Sequence, residues 1–477
     1  MPAYGLSKQR IVAGTAPGEA TTRADIANIS TDVGLDNWIK PMGMIPAVDA
    51  TNGPWTADTG FVAGVPAGFP NVSGKTFYAW NSGVFNTQSQ NWQAVPTGAG
   101  QNTSGYSACM NASTPRVWTF GSMTGYPLES LIDFSFVTDS TTVTLVYNAL
   151  IANQGGSTTH HDHTVFYEHQ GQMKELGTLP KTGTGGSGLF YRTLTVKEAR
   201  MAEWRFILPG MHWLIGIIVD SGATVRKAPN KFLFAYNGDS WGEAMGCTLA
   251  SPIGGAWPTG TYRTAFLPTW LIRLTGGAVI QMGQGGTGEF NANNSAATAA
   301  NVTNSDGSSV FHGVSRINHL VTNFGSRNPV VLTLGGWNDG TLPAAPVAAT
   351  YQTRVQEGIQ RFIAAKSDIK LLYASIEPVS ITGGDSRDLS LQGQLAAFAA
   401  GKAVYPGNVL SYADLRAMWV DTSTAATSQR TANVNTTDTI HLHIKGGLTV
   451  ANWLVAWLKN VKISASYVNA MMTWGQV

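Results

Sequence analysis

From Lys231 onward, apolar runs of strand length alternate with segments of helical periodicity, and this alternation narrows the possible folds more than any other feature of the chain. "KFLFAY", "GAVIQM", "NPVVLTLGG", "IKLLYASIE" and "GNVLSYAD" read as buried strands. Between and after them lie helical stretches. In "YQTRVQEGIQRFIAAK", Val355, Ile359, Phe362 and Ile363 fall on one helix face. "LTVANWLVAWLKNV" repeats the pattern with Val450, Trp453, Leu454, Trp457 and Leu458. Strands buried on both faces and separated by helices predict a parallel sheet covered on each side. In such sheets functional groups gather at the carboxyl ends of the strands.

The preceding part of the chain has another texture. Over residues 116–229, runs such as "SLIDFSFVTD", "TTVTLVYNAL", "GLFYRTLTV" and "HWLIGIIVDSGATVR" are β-branched and aromatic. Several of these runs alternate apolar with polar residues, and turn residues separate them. Strands this close together predict an all-β sandwich, interrupted at most by a short helical spell at "VKEARMAEW". Residues 1–115 are rich in Gly, Pro, Thr, Asn and Trp and carry few periodic segments, so irregular or short-stranded structure is expected there, as an attachment or assembly segment. Three regions follow: 1–115, 116–229 and 230–477.

Composition bears on partners. Only 12% of residues are charged and the net charge is +2, which gives no reason to expect nucleic acid as a partner. The most apolar stretch, "FILPGMHWLIGIIV", is broken by Pro209, Gly210 and His212 and is short for a bilayer span, so no membrane insertion is expected. The N-terminus shows no apolar core of a cleavable signal peptide. The two cysteines, Cys109 and Cys247, have neither metal spacing nor a disulfide framework. A surface rich in hydroxyls and aromatics suits a carbohydrate or extracellular particle setting.

The first predicted strand of the C-terminal region stops at Asn237-Gly238, and Ser240 follows on a glycine-cornered turn. A serine hydroxyl attacks well only when a base takes its proton, and the usual base is a histidine oriented by a carboxylate. Near the C-terminus, "NTTDTIHLHIKGG" supplies Asp438 and His441 three residues apart, with His443 as a competing base. An oxyanion needs donors. The backbone N–H of Ser240, a backbone N–H in "QMGQGGTGEF" and the side-chain amide of Asn338 in "LTLGGWNDG" are the candidates.

These four segments, in this order and at these strand ends, resemble the SGNH (GDSL-type) hydrolase family. Gly238-Asp239-Ser240 matches the first block, with Trp241 where Leu or Ile is frequent. Gly286 matches the glycine of the second, with Gly285 or Gly283 as fallback. Gly336-Trp337-Asn338-Asp339 matches the third and Asp438-Thr439-Ile440-His441 the last. The resemblance spans roughly Lys231 to Lys462. It implies a flavodoxin-like three-layer α/β/α domain, preceded here by a jelly-roll-like sandwich as in carbohydrate esterases of the family. It implies Ser240 as nucleophile, His441 as base and Asp438 as its orienter, with Ser240, Gly286 and Asn338 forming the oxyanion hole. It implies no cofactor and no metal. Asp239 and Asp339 are read as hydrogen-bonding scaffold, and Trp241 and Trp337 as pocket walls that stack on sugar.

The expected substrate is an acetylated polysaccharide. The front segment resembles phage tail-spike and tail-fibre proteins, which makes other virion proteins and a second copy of the chain the expected partners and the outside of a cell the expected place of work. Two alternatives stand beside this: a non-catalytic virion protein that binds a receptor, and a cellular lipase or thioesterase. A separate cluster, "TTHHDHTVFYEH", holds His160, His161 and His163; His161 and His163 have the spacing of one strand face, suited to a metal. The preferred reading is an exposed polar loop that enters a strand.

Overall fold

In the computed structural model, the described residues are 32–37, 39–45, 53–88, 92–94, 108–110, 131–149, 159–160, 163–176, 184–185, 188–209, 212–239, 241, 267–283, 287–290, 311–313, 317, 327, 329–335, 338–339, 347–374, 386–413, 442 and 444–464.

The C-terminal region is the α/β unit that the alternation predicts. Its strands are β1 (Leu233–Gly238), β2 (Ala278–Gly283), β3 (Val330–Leu334), β4 (Lys370–Ala374) and β5 (Val409–Ala413). Its helices, among the described residues, are α1 (Leu267–Thr275), α2 (Ala348–Ala365), α3 (Ser386–Val404) and α4 (Ile444–Leu458). The strands form one five-stranded sheet in the order β2-β1-β3-β4-β5, and every pairing is parallel. Side chains alternate across it. Phe234 and Tyr236 join a cluster with α1 and α4, while Leu233 and Ala235 join another with α2 and α3. Helices therefore bury both faces, which is why β1 and β3 are buried at every position.

Ahead of this unit, two largely antiparallel sheets share one core. The eight-stranded sheet is built around Thr142–Ala149, Gly188–Val196 and His212–Asp220, and the seven-stranded one around Leu131–Thr138, Ala202–Pro209 and Thr164–His169. Phe134, Phe136, Trp204 and Phe206 meet Leu145, Tyr147, Leu194 and Ile217 between them. The stretch read as a helical spell forms no helix: Gly188–Val196 and Ala202–Pro209 are strands, and 197–201 connects them.

Strands of the first 115 residues are woven into these sheets rather than standing apart. Trp55–Asp58 and Val62–Ala63 pair with Gly188–Val196, Lys75–Ala79 pairs with His212–Asp220, and Asn86–Thr87 pairs with Leu131–Thr138. These strands run two to five residues, too short to show a two-residue period in sequence. Asp32–Gly34 reaches further and pairs with Lys462–Ser464, at the far end of the α/β unit. Gly43–Ile45 then joins the seven-stranded sheet beside Gln172–Leu176, so one short segment straps the two units together.

The units also share an apolar cluster. Leu131, Phe166 and Ile207, from the sandwich face opposite its core, lie with Leu267, Leu271 and Ile272 of α1. Leu131–Thr138 is accordingly buried at every residue, polar ones included. Burying Asp133 requires a partner. Arg205 supplies it with two charge-assisted hydrogen bonds at 2.8 and 2.6 Å, and the same guanidinium donates to the Gly277 carbonyl at 2.8 Å. Arg273 of α1 bridges in the other direction, to Glu175 at 2.9 Å and Thr164 at 2.8 Å.

Candidate active site

The three glycine-bearing blocks emerge side by side. Gly238, the last residue of β1, is in register with Gly283 of β2 and with Leu334 of β3. The chain leaves all three strands at one level of the sheet, at their carboxyl ends. Ser240 is two residues beyond Gly238, Gly286 three beyond Gly283, and Asn338 four beyond Leu334. Gly283 is the last residue of β2.

The turn after β1 is fixed by its own aspartate. Asp239 is buried, and its Oδ1 accepts from the Trp241 N–H at 3.2 Å, an Asx-type bond. Gly335 makes room for it: with φ at +124° it adopts a backbone that suits glycine, and a Cβ there would stand 2.6 Å from Asp239 Oδ2. Asn237 anchors the end of β1 by donating to the Phe311 carbonyl at 3.1 Å.

The turn after β3 grips the segment that follows β2. Asp339 accepts from the backbone N–H groups of Glu289 and Phe290 at 2.8 and 2.9 Å, and from the Tyr351 hydroxyl of α2 at 3.0 Å. Asn338 Nδ2 donates to the Thr287 carbonyl at 2.9 Å, which holds the plane of its amide. The scaffolding role expected of Asp239 and Asp339 is the one these bonds give them.

Ser240, Gly286, Trp337, Asp438 and His441 lie outside the described residues. Their covalent neighbours mark where they attach. Trp241 follows Ser240 and Leu442 follows His441, and both are buried in the cluster that α1 and α4 form with the sheet. Leu442 directly precedes α4.

Two further residues singled out in the sequence lie among the described ones, and one of them corrects an expectation. Trp241 is 6% exposed and packs in the apolar core. His163 is not on an exposed loop: it is buried, edge-on to Tyr147 at 4.4 Å between ring centroids and to Phe61 at 5.3 Å. His160 lies in a two-residue strand, opposite Thr184, and His161 is outside the described residues. No group of three metal-ligating side chains occurs among the described residues.

One feature escaped the sequence. His312, fully buried, has its Nδ1 2.5 Å from Glu289 Oε2 and its Nε2 3.1 Å from the Tyr373 hydroxyl. The available signal was an acid in the otherwise small and apolar "GTGEF", beside the third-block Asp339 in space but 50 residues from it in sequence.

No family model matches the chain, and no curated protein matches it. Among solved structures it is similar to a salicylyl-acyltransferase from a tetracycline biosynthetic pathway, at 10% identity over 80% of this chain and 95% of that one, with a TM-score of 0.49. It is similar to an acetyl xylan esterase from the rumen bacterium Butyrivibrio proteoclasticus, at 13% identity over 81% and 97% with a TM-score of 0.44. A chain from Bacteroides ovatus described as a GDSL-like lipase aligns at 14% identity over 70% and 86%, with a TM-score of 0.43.

Proposed function

We propose that the chain is a serine esterase that removes short acyl groups, acetyl foremost, from a polysaccharide. The observation that carries the reading is the common register of Gly238, Gly283 and Leu334: three blocks bearing a serine, a glycine turn and an asparagine leave adjacent parallel strands at one edge. In this reading His441 takes the Ser240 proton as the hydroxyl attacks the ester carbonyl. Asp438 orients the imidazole, and the oxyanion is held by the N–H of Ser240, the N–H of Gly286 and the amide of Asn338. His441 then gives its proton to the departing sugar hydroxyl, and water repeats the cycle on the acyl-serine. A base of this kind works as the neutral imidazole, so the rate should rise through about pH 6–7.

The polysaccharide part rests on the weakly charged, hydroxyl- and aromatic-rich composition and on the two-sheet unit joined to the α/β unit. A jelly-roll-like carbohydrate-binding role for that unit belongs to the same proposal, as do a virion-borne setting and action on host surface glycans. Hydrolysis of p-nitrophenyl acetate by wild type and Ser240→Ala tests the chemistry: equal rates would remove the enzyme reading. Acetate release from a panel of acetylated polysaccharides tests the substrate, and preference for octanoyl over acetyl esters would turn the reading toward a lipase.

A further inference from the structure

Every residue of the segment directly after Gly286 is tied down. The Thr287 carbonyl accepts from Asn338, the Gly288 carbonyl accepts from the Phe311 N–H at 2.9 Å, and the Glu289 and Phe290 N–H groups donate to Asp339. The side chain of Glu289 runs inward to His312, whose other ring nitrogen meets Tyr373. Arg361 of α2 donates to the His312 carbonyl at 3.0 Å, and Gly358 of the same helix leaves room for the ring: a Cβ there would lie 2.0 Å from His312 Cγ. Burial, and then the nearby Glu289 carboxylate, push the Tyr373 pKa well above its ordinary value, so its hydroxyl keeps its proton. The two ring nitrogens of His312 thus link the Glu289 carboxyl group to the Tyr373 hydroxyl.

An apolar pair would fill this volume at lower cost. Burying a carboxylate is expensive, and Glu289 Oε1 has no hydrogen-bond partner among the described residues. A buried polar chain of this kind makes one arrangement of its members far better than any other. We propose that Glu289, His312 and Tyr373 are positioning residues for the oxyanion hole, acting through the clamped segment 287–290 to set the backbone of Gly286 and the amide of Asn338. The role assigned to the three is to hold that segment, not to act on the reacting atoms. The inference rests on the esterase reading above and adds to it His312 and Tyr373, which lie in none of the four segments, and Glu289, a residue of the second segment.

The test is the turnover rate per reactive serine in Glu289→Gln. Titrating Ser240 with an organophosphonate that releases p-nitrophenol counts competent sites, and p-nitrophenyl acetate then gives kcat for each. Misplacing a catalytic group by about 1 Å costs up to about a hundredfold. Glu289→Gln should therefore lower kcat per titrated serine by about tenfold or more, with KM within about twofold. Tyr373→Phe, which deletes one hydroxyl, should lower it by about threefold and serves if Glu289→Gln does not fold. A purely structural role would reduce the number of titratable sites and leave kcat per site unchanged, and that result would overturn the inference alone. A wild-type chain whose Ser240 takes no label would overturn the esterase reading, and this one with it.

Discussion

Asp339 is the residue on which the site's framework converges. It accepts two backbone N–H groups and a tyrosine hydroxyl, and it is fully buried. Asp339→Asn turns an amide N–H₂ toward one of those donors. A buried donor left without an acceptor costs about 1–3 kcal/mol. The urea midpoint should fall by that equivalent, together with the esterase rate; an unmoved midpoint would mean the N–H groups find other acceptors. Asp220 offers a pH-dependent counterpart. Partial burial raises its pKa, but hydrogen bonds from Lys75, Thr141 and Ser140, with the Lys75 charge, outweigh that and bring it to about 2, against 3.8 unperturbed. Its stabilisation is therefore present above about pH 4 and is lost as pH falls toward 2. Acid unfolding of Asp220→Asn should show a shallower dependence across that window, and identical slopes would exclude this carboxylate as a contributor. At this scale the sequence was informative where a residue's role follows from its turn. Asp239 and Asp339 sit beside glycines at strand ends, where short carboxylates bond backbone N–H groups. It misled at His163, where a run of polar residues suggested an exposed loop and the ring is instead buried between Tyr147 and Phe61.

Among the elements, α2 makes the sharpest prediction. Alanine is a better helix former than glycine by about 1 kcal/mol, so Gly358→Ala would stabilise an isolated helix. Here the added methyl meets the His312 ring, and overpacking of this kind costs about 1–3 kcal/mol or more. A net loss of thermal stability is expected, and a gain would show that His312 has somewhere else to go. The five strands of the sheet and helices α2 and α4 were legible because each carries a long apolar signal: Val355, Ile359 and Phe362 are buried as their spacing predicts. Helices α1 and α3 were not. The first is nine residues with proline at its second position, and the second is full of alanine and glycine, which mark no face. "VKEARMAEW" misled the other way, since strong helix formers there serve a strand connection and the start of a strand whose pairing outweighs local propensity. Leu131–Thr138 alternates as a half-exposed strand would, yet its polar face is buried as well, Asp133 against Arg205 and Ser135 against Gln88. Sequence periodicity reports polarity, and here polarity and exposure part company.

For the whole molecule, the two units should unfold as one. Leu35, Ile39, Leu131, Phe166 and Ile207 contribute to the cluster that covers α1 and α4. At about 1.5–3 kcal/mol for each large apolar side chain, their loss is on the order of 10 kcal/mol as an upper bound. That matches the whole stability of a typical domain. Residues 230–477 expressed alone should therefore be insoluble or melt without cooperativity; a midpoint equal to that of the full chain would refute the shared core. Arg205→Ala is the single-residue version. It leaves Asp133 buried without its charge partner, a loss of about 3–5 kcal/mol. The proposed chemistry requires that this one body bring together hydroxyl and imidazole from opposite ends of the α/β unit. Peptide mapping of the organophosphonate adduct on the full chain tests this most directly. A single adduct on Ser240, formed at least about a thousandfold more slowly in His441→Ala, is the predicted result. An active chain whose adduct maps elsewhere, or His441→Ala labelled as fast as wild type, would contradict it.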